Sequence, residues 1–250
     1  MSFRSRTRTG IFYVPGFPKG VKWLLISNVC IFVLDWLGRF ADLHGPVIVL
    51  FGLIPASVIR QFAVWQLATY LFLHGGFGHI IWNMLALWMF GADLERVWGT
   101  RRFIQFYFFC GIGAGVCVVV ANYLLPWGNP LVPTIGSSGA IFGILLAYAM
   151  MYPDRTILWG FLIPIQVKYF VMIIGAIAFL SSFQVNNGVS EFAHLGGLLF
   201  GYIFVKSPRV QFDLAGPVRR QYHDWKLRRA KKKFQVYLRK QGSGRGPTVH

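Results

Sequence analysis

Six apolar segments, at roughly 21–38, 77–95, 102–125, 138–152, 167–183 and 192–206, carry almost no charge inside them, and nothing else in this chain constrains its fold as much. Inside a bilayer such runs must be helical, because lipid offers the backbone no hydrogen-bond partners and a helix satisfies its own. Composition agrees: 55% of residues are hydrophobic, 17% aromatic and only 13% charged, a balance that soluble globular chains rarely show. The sequence therefore predicts an all-α integral membrane protein of six transmembrane helices. It has a short N-terminal segment (1–20), a membrane domain (21–206) and a basic tail (207–250). Cys30, Cys110 and Cys117 all lie in apolar runs and imply no disulfide framework. The first run follows Arg4, Arg6 and Arg8 but has no small-residue cleavage site, so it is expected to stay as a span.

Basic residues set the orientation. With the N-terminus cytoplasmic, every Lys and Arg of the 25 except Arg39 and Arg60 falls on the inner side, as the positive-inside rule requires. Both termini are then cytoplasmic, and the long connection 39–76 is external. Its "HGPVIVLFGLIPASVIRQFAVWQLATYLF" is too apolar for a free loop and too broken by Pro and Gly for a span. It is expected to lie in the membrane interface, with Trp65 and Tyr70 at headgroup depth. A seventh span through 47–72 would invert every later loop.

The fourth segment begins strangely, with Pro133, Gly136, Ser137, Ser138 and Gly139 at its mouth. Its inner end is fixed near Asp154. Counting back, Ser138 lies about 24 Å above that residue, below the far face of a core ~30 Å thick. The backbone of 126–136 must then dip inward as a re-entrant connection, which is tolerated only where it is buried in protein or lines a cavity. The second and sixth segments run the same way and carry His79 and His194 near their outer ends, with Asn83 one turn after His79 on the same face. One cavity could hold all four side chains.

That inventory suits acyl transfer. A serine hydroxyl needs a base, which imidazole supplies. A developing oxyanion needs donors: the Asn83 amide, the His79 N–H and the backbone amides opening the fourth helix. Taken alone, G-x-S-G is weak, and Gly139/Gly143 and Gly197/Gly201 are G-x-x-x-G pairs of the kind that let helices pack closely. Packing between those two pairs would itself carry Ser138 toward His194. Glu95 is expected to serve structure, paired with Arg96, Arg101 or Arg102, and His74 to support its loop by hydrogen bonding. No metal or cofactor is called for.

Together these residues resemble the rhomboid family of intramembrane serine proteases. The likeness rests on "HGGFGHIIWN" with His79 and Asn83, "GADLERVWG", "GSSG" with Ser138, and "AHLGGLLFG" with His194. It covers about 60–206, and "PDRTILWGFLIPIQVKY" is similar to a loop that many bacterial members carry before the fifth span. The resemblance implies a six-helix bundle with a short fourth helix, and a Ser138–His194 dyad with no third, acidic member. It also implies an oxyanion hole from His79, Asn83 and the Ser138 amide, with Gly136, Gly139, Phe142, Gly197 and Gly201 shaping the site and Phe142 packing on His194. Substrates would be transmembrane proteins, cleaved in or near their spans, and the location a bacterial inner membrane. Two departures stand out: many members have Trp-Arg where this chain has Trp65-Gln66, and Ser137 places a second hydroxyl beside the nucleophile.

From Lys206 onward the tail holds thirteen basic residues, densest in "WKLRRAKKKFQVYLRK" with Trp225, Phe234 and Tyr237 interleaved. It reads either as a surface helix on anionic lipid or as a topology-fixing extension. Nucleic-acid binding is not expected, because no folded recognition module accompanies the charge. Two other functions compete with the protease: a non-catalytic rhomboid-like factor that binds membrane proteins, and a transporter. The transporter is disfavoured by a cavity without fixed charge and by the absence of an inverted repeat.

Overall fold

A helix occupies each of the six apolar segments. The computed structural model describes residues 17–159, 162–183, 188–207, 225–226 and 229. Helix α1 (Lys19–Gly38) is followed by three short helices of the long connection, α2 (His44–Phe51), α3 (Pro55–Arg60) and α4 (Gln66–Thr69). Helix α5 (Phe77–Ala86) continues through a π turn at Leu87–Gly91 into α6 (Ala92–Trp98). Then come α7 (Thr100–Leu124), α8 (Ser138–Met151), α9 (Val167–Ser181) and α10 (Gly188–Lys206). By length and composition α1 with its extension to Ala41, and α7, could cross a membrane; α8 and α9 are apolar but shorter.

Strands β1 (Thr156–Trp159) and β2 (Ile163–Gln166) pair antiparallel, Thr156 opposite Gln166 and Trp159 opposite Ile163. The all-α reading is corrected here. The β-branched Thr156, Ile157, Ile163 and Ile165 suit extended backbone, but four-residue runs are too short for periodicity to announce them.

The surface is greasy where a soluble protein's would be polar. Met172, Ile177, Phe179 and Leu180 of α9 and Trp23, Leu34 and Leu37 of α1 stand exposed. Asn28, Gln66, His74, Asn83, Glu95 and Asn122 are buried. Apolar faces of this extent call for an apolar surrounding.

Three helices form the centre, and glycines set their spacing. A Cβ on Gly197 of α10 would fall on the Gly139 carbonyl of α8, and one on Gly201 would lie 3.0 Å from the Gly143 Cα. The contact advances by four residues on both helices in the same sense, so α8 and α10 run parallel with backbones touching. Helix α7 lies antiparallel to both. Gly113 faces Phe200, while a Cβ on Gly196 would sit 2.9 Å from the Ala114 Cα.

Charged groups gather at one end of the bundle. The buried Glu95 carboxylate accepts from the Gly20 and Val21 amides, each at 2.7 Å, and from the Thr100 hydroxyl at 2.6 Å. It thus supplies acceptors to amides that the first turn of α1 leaves unpaired. Arg96 turns to Asp93 instead of Glu95, at 2.8 Å, and Arg155 reaches the same carboxylate at 2.8 Å.

At the other end the long connection is stitched to the segment that precedes α8. Leu53 and Thr134 exchange backbone hydrogen bonds at 2.9 and 2.8 Å, the Ala56 amide donates to the Pro130 carbonyl at 2.8 Å, and the Gly136 amide donates to the Tyr70 carbonyl at 2.9 Å. Tyr70 faces the protein interior. Its ring is buried and its hydroxyl donates to the Gly111 carbonyl at 2.7 Å, because glycines on α7 leave room for the ring. Trp65 is half exposed, with its indole N–H on the Leu50 carbonyl.

Residues 211–250 form a separate compact unit. Of these only Trp225, Lys226 and Arg229 are described, the Arg229 guanidinium lying 4.2 Å over the Trp225 ring. The rest of the lipid-facing reading of the tail falls outside the described residues.

Candidate active site

The mouth of α8 separates two adjacent hydroxyls. Gly136 adopts φ +121°, a conformation that side chains rarely take, and a Cβ there would sit 2.7 Å from His79 Nε2. Only glycine both makes this turn and lets the imidazole approach. The chain then passes through Ser137 into the first turn of α8. Ser137 is fully buried, its Oγ 3.3 Å from His74 Nε2. Ser138 points the other way, to α10.

Ser138 Oγ lies 2.9 Å from His194 Nε2. The parallel glycine contact brings this about, since Gly139 and Gly197 abut one residue after the serine and three after the histidine. The His194 ring stacks on Phe142, with centroids 4.3 Å apart and planes 8° from parallel. Its remaining nitrogen, Nδ1, is 2.6 Å from Glu191 Oε2. The sequence reading passed over Glu191; its place three residues before His194 puts both on one helix face and was the available signal.

His79 and Asn83 sit on the first two turns of α5. The Gly75 amide approaches His79 Nδ1 at 3.4 Å, and an accepting Nδ1 leaves the ring proton on Nε2, the nitrogen that faces Gly136. Asn83 is buried, and its Nδ2 has no hydrogen-bond partner among the described residues. A buried donor without an acceptor is costly in a resting protein. It suits a group whose acceptor arrives with a reaction.

His74 serves Ser137 poorly as a base. Burial, with the neighbouring His79 as second cause, pushes the His74 imidazole down to about 4. An imidazole that weak takes up a hydroxyl proton poorly. Among the described residues no group of His, Cys, Asp and Glu could hold a metal ion.

The fold and this site define a helical protein that pairs a serine hydroxyl with an imidazole beneath apolar outer faces. A model of the Rhomboid domain matches residues 61–207, and the chain belongs to the rhomboid family. It is 36% identical over 180 residues to the rhomboid protease GluP of Bacillus subtilis, covering 72% of this chain and 32% of that protein. It is 34% identical to the putative rhomboid protease YdcA of the same organism, over 56% of this chain and 64% of the relative. Rhomboid-like protease 3 of Toxoplasma gondii is 27% identical over 75% of this chain and 68% of its own length. The chain thus spans about a third of GluP and about two thirds of the other two.

Proposed function

We propose that this chain is an intramembrane serine endopeptidase that hydrolyses peptide bonds in or near the transmembrane segments of other membrane proteins. The observation that carries the reading is the 2.9 Å contact from Ser138 Oγ to His194 Nε2. Six spans enclose the site, with a short fourth helix fed by the re-entrant segment 126–136. Residues 39–76 are external, the N-terminal segment and the tail are cytoplasmic, and the membrane is a bacterial inner membrane. No cofactor takes part. The basic tail adds contact with anionic lipid.

In this mechanism Ser138 Oγ attacks the scissile carbonyl carbon while its proton passes to His194 Nε2. The C=O π electrons move onto oxygen, where the Ser138 amide, Asn83 Nδ2 and His79 Nε2–H donate to the charge. On collapse the C–N bond breaks, and His194 hands its proton to the leaving amine. Water then attacks the acyl ester, with His194 taking its proton, and Ser138 is restored. Phe142 holds the imidazole plane through both halves. Gly136, Gly139, Gly197 and Gly201 hold the backbone positions that set the reach.

A substrate helix must unwind locally to offer a peptide bond, so small or helix-breaking residues are expected at the cleaved position. The test is covalent labelling. A fluorophosphonate should mark the purified chain at Ser138, because only a hydroxyl with a neighbouring base attacks phosphorus readily. Ser138→Ala should lose both labelling and cleavage of a model transmembrane substrate, and Ser137→Ala should keep both. Wild-type labelling and cleavage by Ser138→Ala would show that Ser138 is not the nucleophile, and a wild-type chain that neither labels nor cleaves would be a binding factor with an incidental serine.

A further inference from the structure

His194 is gripped on both sides. Nε2 meets Ser138 Oγ at 2.9 Å, Nδ1 meets Glu191 Oε2 at 2.6 Å, and Phe142 stacks on the ring at 4.3 Å. We infer that Glu191 is a positioning residue that completes a Ser138–His194–Glu191 triad, an inference that rests on the serine-protease reading above.

To accept the serine proton, Nε2 must present a lone pair, so a neutral ring must carry its single proton on Nδ1. A carboxylate at 2.6 Å from Nδ1 can only accept there, so it selects the tautomer that catalysis requires. Once Ser138 gives up its proton the ring is a cation, and the same carboxylate then balances a charge formed in a largely apolar setting. The carboxylate takes no proton itself; the hydroxyl proton travels from Oγ to Nε2 and on to the leaving amine. Orientation adds to this. Glu191 and His194 stand three residues apart on α10, so one rigid helix fixes their separation, while Phe142 from α8 fixes the ring plane. The side chains of His194 and Glu191 are 23% and 24% exposed. The pair is therefore not sealed within the protein.

A simpler role exists for this residue. Glu191 lies in the first turn of α10, where any carboxylate favours the positive end of the helix dipole. The two roles separate by what changes. A dipole role shifts stability and leaves turnover alone. A triad role lowers kcat, leaves KM alone, and depends on a carboxylate at that distance.

The experiment measures kcat and KM for the full-length chain in detergent with a fluorogenic transmembrane substrate, for wild type, Glu191→Gln, Glu191→Asp and Glu191→Ala, with thermal unfolding alongside. The Gln and Ala variants should lose roughly 10- to 1000-fold in kcat, with KM within about twofold, and Asp should fall between them and wild type. Added formate should restore part of the turnover of Glu191→Ala. The 15N signals of His194 should report the Nδ1–H tautomer in wild type and lose that preference in Glu191→Ala. Turnover within about twofold of wild type in both the Gln and Ala variants would overturn the triad. So would a loss that tracks unfolding and that formate does not reverse. Ser138→Ala is run beside them. If it is inactive while the Glu191 variants turn over normally, the triad fails and the serine protease stands. If it is active, the underlying reading fails first.

Discussion

Replacing Gly197 by alanine adds one methyl group at the contact between α8 and α10, and its effect can be worked out from the geometry. The new Cβ would fall on the Gly139 carbonyl, whereas ordinary contact begins at 3.4 Å. Neither atom is the end of a flexible side chain, so the two backbones must part by about 1 Å or more. The change lies three residues from His194, and Gly139 adjoins Ser138, so most of that displacement passes to the reacting pair. A Ser138–His194 distance of 2.9 Å would become about 4 Å, outside hydrogen-bond reach. A misplacement of ~1 Å costs on the order of 100-fold in rate, and overpacking of this kind costs about 1–3 kcal/mol in stability. Gly201→Ala is the internal comparison. Its Cβ would meet the Gly143 Cα at 3.0 Å, a clash that a shift of a few tenths of an ångström relieves, two turns from the histidine. In detergent, Gly197→Ala should therefore remain folded by thermal unfolding and lose on the order of 100-fold in both substrate cleavage and fluorophosphonate labelling, while Gly201→Ala loses only a few-fold. Equal rates for the two variants, or a wild-type rate for Gly197→Ala, would show that the glycine contact does not set the reach of the serine.

Asn83→Ala should reduce kcat about 10- to 1000-fold with little change in KM, as expected for one donor among several to an oxyanion; an unchanged kcat in steady-state cleavage would remove Asn83 from that role. Glu95→Gln should cost roughly 2–4 kcal/mol, because its carboxylate receives two amides and a hydroxyl in a buried place. Thermal unfolding reads this directly, and a shift no larger than that of a surface substitution would count against the α1 anchor. Reporter fusions at positions 128 and 187 should read external, and fusions at 98, 155 and 230 cytoplasmic; a reversal at any of them would undo the orientation drawn from the basic residues.

Apolar runs with few charges made the helices readable from sequence, and α7, α8 and α10 begin and end within a few residues of the marked segments. The two G-x-x-x-G pairs were readable for the same reason, since a spacing of four repeats along one helix face whatever lies opposite. What escaped notice depended on partners from elsewhere in the chain. Glu191 could be read as a neighbour of His194, but which ring nitrogen it meets depends on the tilt that Phe142 imposes. Tyr70 is an amphipathic aromatic that would suit an interface, but the Gly111 carbonyl takes its hydroxyl proton and the bare Cα of Gly115 leaves room for its ring. Gln66 stands where the family resemblance leads one to expect arginine, and the sequence left its anchoring role open. In the fold its amide accepts from the Ile54 N–H at 3.0 Å and donates to the Val49 carbonyl at 2.9 Å. A neutral group with both a donor and an acceptor can thus tie the loop where an arginine could only donate. The π turn at Leu87–Gly91 left no trace in the hydropathy of the second segment, because it changes the hydrogen-bond register and not the residue types.

The stitch between Leu53 and Thr134, and between Ala56 and Pro130, uses main-chain atoms alone. Leu131 and Val132, within the same stretch, turn their side chains outward. The shape of this rim is therefore encoded separately from its chemistry. Exchanging those outward residues touches none of these main-chain bonds, so the face around them can change its chemistry while the strut that steadies Gly136 and the start of α8 stays as it is.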